Sequence, residues 1–102
     1  MNKIHKLKLK KMYFDDVRSG KKSFEIRFND RGYQTGDLIE FRKVTNRGDE
    51  FYPNTNKIFA EIIYLFVDVN FLQEGYCVFS IKMLTQEEFR YREKMLEEVA
   101  DA

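Results

Sequence analysis

Gly20-Lys21-Lys22-Ser23-Phe24-Glu25-Ile26-Arg27 is the densest stretch of chemistry in the chain, and its reading decides the fold. Phe24, Ile26 and then Phe28 alternate with Ser23, Glu25 and Arg27, the two-residue period of a strand with one apolar and one charged face. Gly20 suits the residue that ends a helix, and upstream Phe14 and Val17 are three apart while Tyr13 and Val17 are four apart, setting a short helix over residues 11–19. Before that helix, Leu7 and Leu9 alternate with Lys6 and Lys8 in a first strand, with His5 on its apolar side.

Working outward, Asn29-Asp30-Arg31-Gly32 is turn-rich, and Gly36-Asp37 closes a second turn before a third strand, Leu38-Ile39-Glu40-Phe41-Arg42. Residues 45–57 hold the single Pro and three Asn and read as a long exposed loop or hairpin tip. Ile58 to Val67 is β-rich with few charges, as for a central strand covered on both sides. Tyr76 to Met83 alternates, placing Cys77, Phe79, Ile81 and Met83 on one face. Thr85-Gln86-Glu87-Glu88 is a capping box, so a C-terminal helix starts there, with Phe89, Leu96 and Val99 as its apolar stripe. Most strands follow one another directly, which excludes a βαβ alternation. The expected class is α+β, mostly β: a small, mostly antiparallel barrel or curved sheet at residues 1–84, a short helix after its first strand, and a C-terminal helix at 85–102 packed on or extending from it, all in one domain.

With 102 residues the chain suits one compact domain, and an aromatic fraction of 16% supplies a core to a short sequence. The lone Cys77 forms no internal disulfide, and no Cys/His cluster suggests a metal or another cofactor. No run reaches the length of a membrane helix and no signal segment follows the basic start, so the expected address is the cytoplasm. The net charge of +1 conceals a segregation: residues 1–31 carry ten Lys/Arg against four Asp/Glu, whereas residues 84–102 carry three against six. An anionic partner therefore belongs to the first third of the chain.

Within that third, Lys22, Ser23, Glu25 and Arg27 put a cation, a hydroxyl, a carboxylate and a guanidinium along a few residues of strand. Arg27 offers a planar fork for bidentate contacts, Lys22 a point charge, and Glu25 an acceptor for an exocyclic amine or an anchor for Arg27. The ordinary alternative is a solvated strand face with weak ion pairs. Lys8 belongs to a run of lysines that either tracks phosphates or protects an edge strand. Tyr52, in a polar loop, is the best candidate to stack on a base, though loop aromatics more often fold back on the core. His5, the one histidine, reads as a core imidazole or a residue lining the cleft.

The combination of His5-Lys6-Leu7-Lys8, Tyr13-Phe14, Gly20 to Arg27, Asn29-Asp30-Arg31, Gly36-Asp37 and Gly75-Tyr76-Cys77-Val78 resembles the ASCH-related branch of the PUA-like superfamily, and within it a subgroup of bacteria and their phages. The resemblance spans about residues 4–83. It implies a small β-barrel with a helix beside it, and a cleft between the first helix and the following strand that binds RNA or a nucleotide. Lys21 and Lys22 would then take phosphate, Arg27 and Glu25 read the base, and Asn29, Asp30 and Arg31 shape the rim. Some ASCH relatives hydrolyse modified cytidine, with a Lys and a Thr on this motif. Lys22 matches the Lys, but Glu25 stands at the Thr position and does not replace a hydroxyl nucleophile. A small hydrolase using Lys22, Glu25 and His5 is the alternative reading, and a protein-interaction module, partnering or self-associating through the C-terminal helix, is a third.

Overall fold

The computed structural model describes residues 1–52 and 56–101. Residues 53–55 of the expected loop, Pro53 among them, and Ala102 at the end of the expected helical segment lie outside the described residues. The elements run β1 (Ile4–Lys10), α1 (Lys11–Arg18), β2 (Phe24–Phe28), β3 (Leu38–Val44), β4 (Lys57–Phe66), β5 (Tyr76–Leu84) and α2 (Gln86–Asp101). The five strands form one sheet in the order β1-β3-β4-β5-β2. Three of its pairings are antiparallel, and β1 lies parallel to β3. The result is an α+β molecule, mostly strands, with the sheet curled into a half-barrel.

Local chemistry explains the path. In β1, His5, Leu7 and Leu9 are buried while Lys6, Lys8 and Lys10 face outward. The chain passes directly into α1, which buries Phe14 and Val17 and ends at Gly20, whose φ of +83° and N–H bond to the Val17 carbonyl make the reversal. The main core lies inside the curl: Leu7, Leu9, Phe14, Val17, Ile39, Phe41, Ile62, Cys77 and Phe79 pack with Tyr33. Burying each large side chain contributes about 1.5–3 kcal/mol. A β-bulge in β4 between Ile62 and Tyr64 shifts the register against β5 and sharpens the curl. On the outer face, Phe89 of α2 seals Leu38 and Phe59 in a second cluster. The capping box that starts α2 is formed reciprocally, Glu88 N–H donating to Thr85 Oγ1 and Thr85 N–H to Glu88 Oε1.

One expectation needs correction, and one strand departs from the ordinary rule that apolar faces turn inward. β4 is not covered on both sides along its whole length, because α2 reaches only its first half; Ile63 and Tyr64 are exposed. More consequentially, β2 is turned over. Its charged face points inward, with Glu25 4% exposed, whereas Phe24, Ile26 and Phe28 are 43%, 58% and 54% exposed. A carboxylate can occupy the inner face because two cations meet it there, which removes the usual penalty for burying it unpaired.

Candidate functional site

β1 and β2 are the two edges of the sheet, and the curl brings them near one another without a backbone ladder between them. Side chains cross the gap instead. Arg27 donates through Nη2 to the Lys8 carbonyl at 2.8 Å and through Nε to Glu25 Oε2 at 2.9 Å. Arg31 donates to the Lys6 carbonyl over a longer 3.4 Å. Lys22 donates to the other Glu25 oxygen and, at 2.7 Å, to the Phe24 carbonyl. Glu25 is therefore an anchor: both of its oxygens are engaged, one by each cation, on a side chain only 6% exposed.

Along this seam runs a cavity of about 680 Å³, lined by both strands, Tyr13 of α1, and Asp30, Arg31 and Tyr33 of the loop after β2. Its size lies within the range of small-molecule and nucleotide sites. Lys8, Lys10, Lys22, Arg27 and Arg31 line it against two carboxylates, Glu25 and Asp30, so the wall carries a surplus of positive charge. Lys22 Nζ lies 5.3 Å from the Tyr13 ring centre and 5.1 Å from that of Phe24, a cation held between two aromatic faces. Tyr33 forms the floor. Burial raises its hydroxyl pKa, the nearby Arg27 and Arg31 only partly opposing this, so the phenol stays protonated at neutral pH.

Of the residues singled out from the sequence, Lys8, Lys22, Glu25, Arg27, Asp30 and Arg31 converge on this cavity. Asn29 lies behind the rim, its Oδ1 accepting the Tyr33 N–H at 3.0 Å and its own N–H bonding the Gly75 carbonyl. Lys21 and Ser23 are exposed and do not line the cavity, Ser23 using its carbonyl to accept the Ile81 N–H. Tyr52 is fully exposed and also stands apart from it. The cleft is correspondingly not a helix–strand groove; α1 contributes Tyr13, and β1 forms the opposing wall.

His5 is withdrawn from the cavity by one ring. It is 4% exposed, packs 4.7 Å from Tyr33, and donates from Nε2 to Asp37 Oδ2 at 2.7 Å. Asp37 also accepts from the Asn2 side chain and the Lys3 and Gln34 amides. Burial works to raise the Asp37 pKa, but the His5 bond and the three amide bonds outweigh it and hold the carboxyl below its ordinary 3.8. This cluster clips the start of β1 to the loop before β3, and the turn signal at Gly36-Asp37 is its only trace in the sequence. Sequence reasoning reaches Lys10 only as part of the lysine run and Tyr33 only as one of several loop aromatics, and gives Tyr13 no role of its own in the site. Tyr33 resembles any loop aromatic, and Tyr13 acquires its place only when α1 folds back over Lys22. Burial raises the Cys77 thiol pKa, so it is a core group without thiolate character.

Comparison with known proteins adds relationship without an activity. An uncharacterised 12.9 kDa protein in the GpA 3′ region of Escherichia phage P2 is 51% identical over 39 residues, a match covering 38% of this chain and 36% of that protein. The chain thus spans little more than a third of the length of that relative. A family model described as a domain of unknown function, DUF3850, matches residues 4–81, which takes in all five strands except the end of β5, together with the whole seam. The chain belongs to the DUF3850 family.

Proposed function

We propose that the seam cavity binds RNA or a nucleotide, and that the chain is an ASCH-related member of the PUA-like superfamily acting in the cytoplasm. The observation that carries this reading is the buried Glu25 carboxylate with Lys22 and Arg27 fixed on it. A carboxylate that immobilises two cations inside a cleft presents donors in one geometry, which favours a ligand with phosphate and planar hydrogen-bonding groups. Exposed Lys8 and Lys10 project from the same strand at a two-residue spacing and supply further phosphate contacts. Tyr13, which lines the cavity, supplies a ring face for a base. A hydrolase is less well supported, because Glu25 has no unengaged oxygen to act as a base and His5 lies behind Tyr33.

Lys22 and Arg27 also hold the fold, so the test uses the lysines of β1. Titration of a labelled single-stranded RNA by fluorescence anisotropy over a salt series should give a linear fall of log affinity with log salt. Lys8→Ala with Lys10→Ala should weaken binding and flatten that slope by roughly 0.7 for each phosphate the protein no longer neutralises, with an unchanged melting temperature. An unaltered slope, or no binding by the wild-type chain at low salt to either RNA or nucleoside monophosphates, would refute the proposal.

A further inference from the structure

The overturned strand also gives the sheet an apolar outer face, which begins at the cavity's edge with Phe24, Ile26 and Phe28 and runs on across β5 and β4. Phe24, Ser80 and Tyr64 form one cross-strand row on the outer face of the sheet; Ile26, Val78 and Phe66 form the next, and Phe28 with Tyr76 a third. Phe28 and Tyr76 meet edge to face, with ring centres 5.5 Å apart. Phe28 also lies against Gly75, where a Cβ would come within 2.4 Å of the ring. These three rows contain no charged residue; Lys82 stands in the adjacent row of the same face opposite Glu61, and Lys22 is turned into the cleft toward Glu25. On the same face nearer the start of β4, α2 covers Leu38 and Phe59. Past the bulge no helix plays that part among the described residues; Phe71 of the following loop lies 6.4 Å, ring centre to ring centre, from Phe66.

The area decides what fits. Phe24, Ile26, Phe28, Tyr64 and Tyr76 are 43%, 58%, 54%, 63% and 38% exposed. At about 200 Å² for a large side chain, these five leave roughly 500 Å² of apolar surface on one molecule, as large as the largest patch on a typical monomer. Two such faces brought together remove about 1,000 Å², the size at which a specific interface begins. A nucleic acid would find no cation within the rows to meet its phosphates. Transient partners mostly dock through surfaces mixed with charge, whereas an uncharged core is the composition of contacts between identical subunits.

We propose that this face is covered by a second copy of the chain in a two-fold dimer. Antiparallel strands about a two-fold axis near Ile26 bring the two Ile26 side chains together and set Phe24 of each copy near Phe28 of the other, so the three rows are complementary to themselves. The sheets stack face to face at about 10 Å, with Phe24, Ile26 and Phe28 at the border between this contact and the seam cavity.

Sedimentation at tens of micromolar chain should give twice the monomer mass of 12.3 kDa. Ile26→Glu puts two carboxylates into the dry centre by symmetry and should weaken dimerisation about a hundredfold or more. Tyr64→Lys, on a different strand at a 63% exposed position, should do the same while circular dichroism shows a folded chain. A wild-type monomer throughout this range overturns the proposal. So does a dimer that survives both substitutions and dissociates on Met95→Lys, which would assign self-association to α2. Loss of RNA binding in Tyr64→Ala, a position outside the cavity lining, with no change of mass would overturn the proposal and assign the face to nucleic acid. The Lys8 and Lys10 substitutions lie on the other edge of the sheet and leave this measurement unaffected, so failure of either proposal is seen separately.

Discussion

Replacing Glu25 by Gln removes one charge and almost no volume, and it tests directly whether the seam is anchored as described. Glu25 is 6% exposed at its side chain, while Lys22 and Arg27 retain 17% and 23%. Removing one partner of a fully buried pair costs about 3–5 kcal/mol, chiefly through the charge left uncompensated. Here the stranded cations keep partial access to water, and Gln preserves one acceptor oxygen, so the expected loss is about 2–3 kcal/mol. For a domain of this length that corresponds to a fall in melting temperature of roughly 10–20 °C. Thermal and urea denaturation should show the loss with an unchanged urea slope, because the surface exposed on unfolding is the same. In a Lys22→Met background the same substitution strands only one cation and should cost less, a coupling of about 1 kcal/mol or more in a double-mutant cycle. A melting temperature lowered by less than about 3 °C would place the cost below 1 kcal/mol and refute the anchored, desolvated network.

The Asp37 cluster sets an acid limit. Because its folded pKa lies below the ordinary 3.8, the group stabilises the protein fully above that value, and its contribution is lost as pH falls through the lower folded value. Urea midpoints across the acid range should therefore drop below about pH 4. Asp37→Asn should flatten that part of the profile and cost about 2–4 kcal/mol at neutral pH through the lost His5 and backbone bonds; an unchanged acid limb would contradict the assignment. Gly75→Ala combines a φ of +85° with a Cβ that forces the Phe28 ring aside, and should lower stability by about 1–2 kcal/mol in thermal melts; a neutral outcome would mean that the turn relaxes freely.

The elements themselves are legible in the sequence. Alternation locates β1, β2 and β5, the Gly36-Asp37 turn precedes β3, a β-rich run with few charges marks β4, the three- and four-residue spacings locate α1, and Thr85 to Glu88 mark the start of α2. What alternation does not encode is which face of a strand turns inward when both faces have a means of satisfaction. In β1, Leu7 and Leu9 have only the core, so Lys6 and Lys8 must face water. In β2, Glu25 finds Lys22 and Arg27, and the apolar rule gives way. The pairing of β1 with β3, and the placing of β2 at the opposite edge, depend on residues more than thirty positions apart in the chain. Such pairings leave no periodic trace. The site is legible as a set of polar residues from Lys22 to Arg31 with Lys8 beside them, but that β1 forms its other wall is not, because Lys8 and Lys10 face the motif only through the curl of the sheet.

The side-chain closure between the two edge strands has a dynamic consequence. Elsewhere in the sheet, separating neighbouring strands breaks several backbone bonds together; between β1 and β2, among the described residues, the hydrogen bonds to break are those of Arg27 and Arg31 to two carbonyls. A parting of these edges is thus an opening that no backbone ladder opposes, a local fluctuation rather than unfolding. It would widen the cavity while β3, β4 and β5 stay intact, giving a bulky guest a way in through a gate that the ladder of the sheet does not resist.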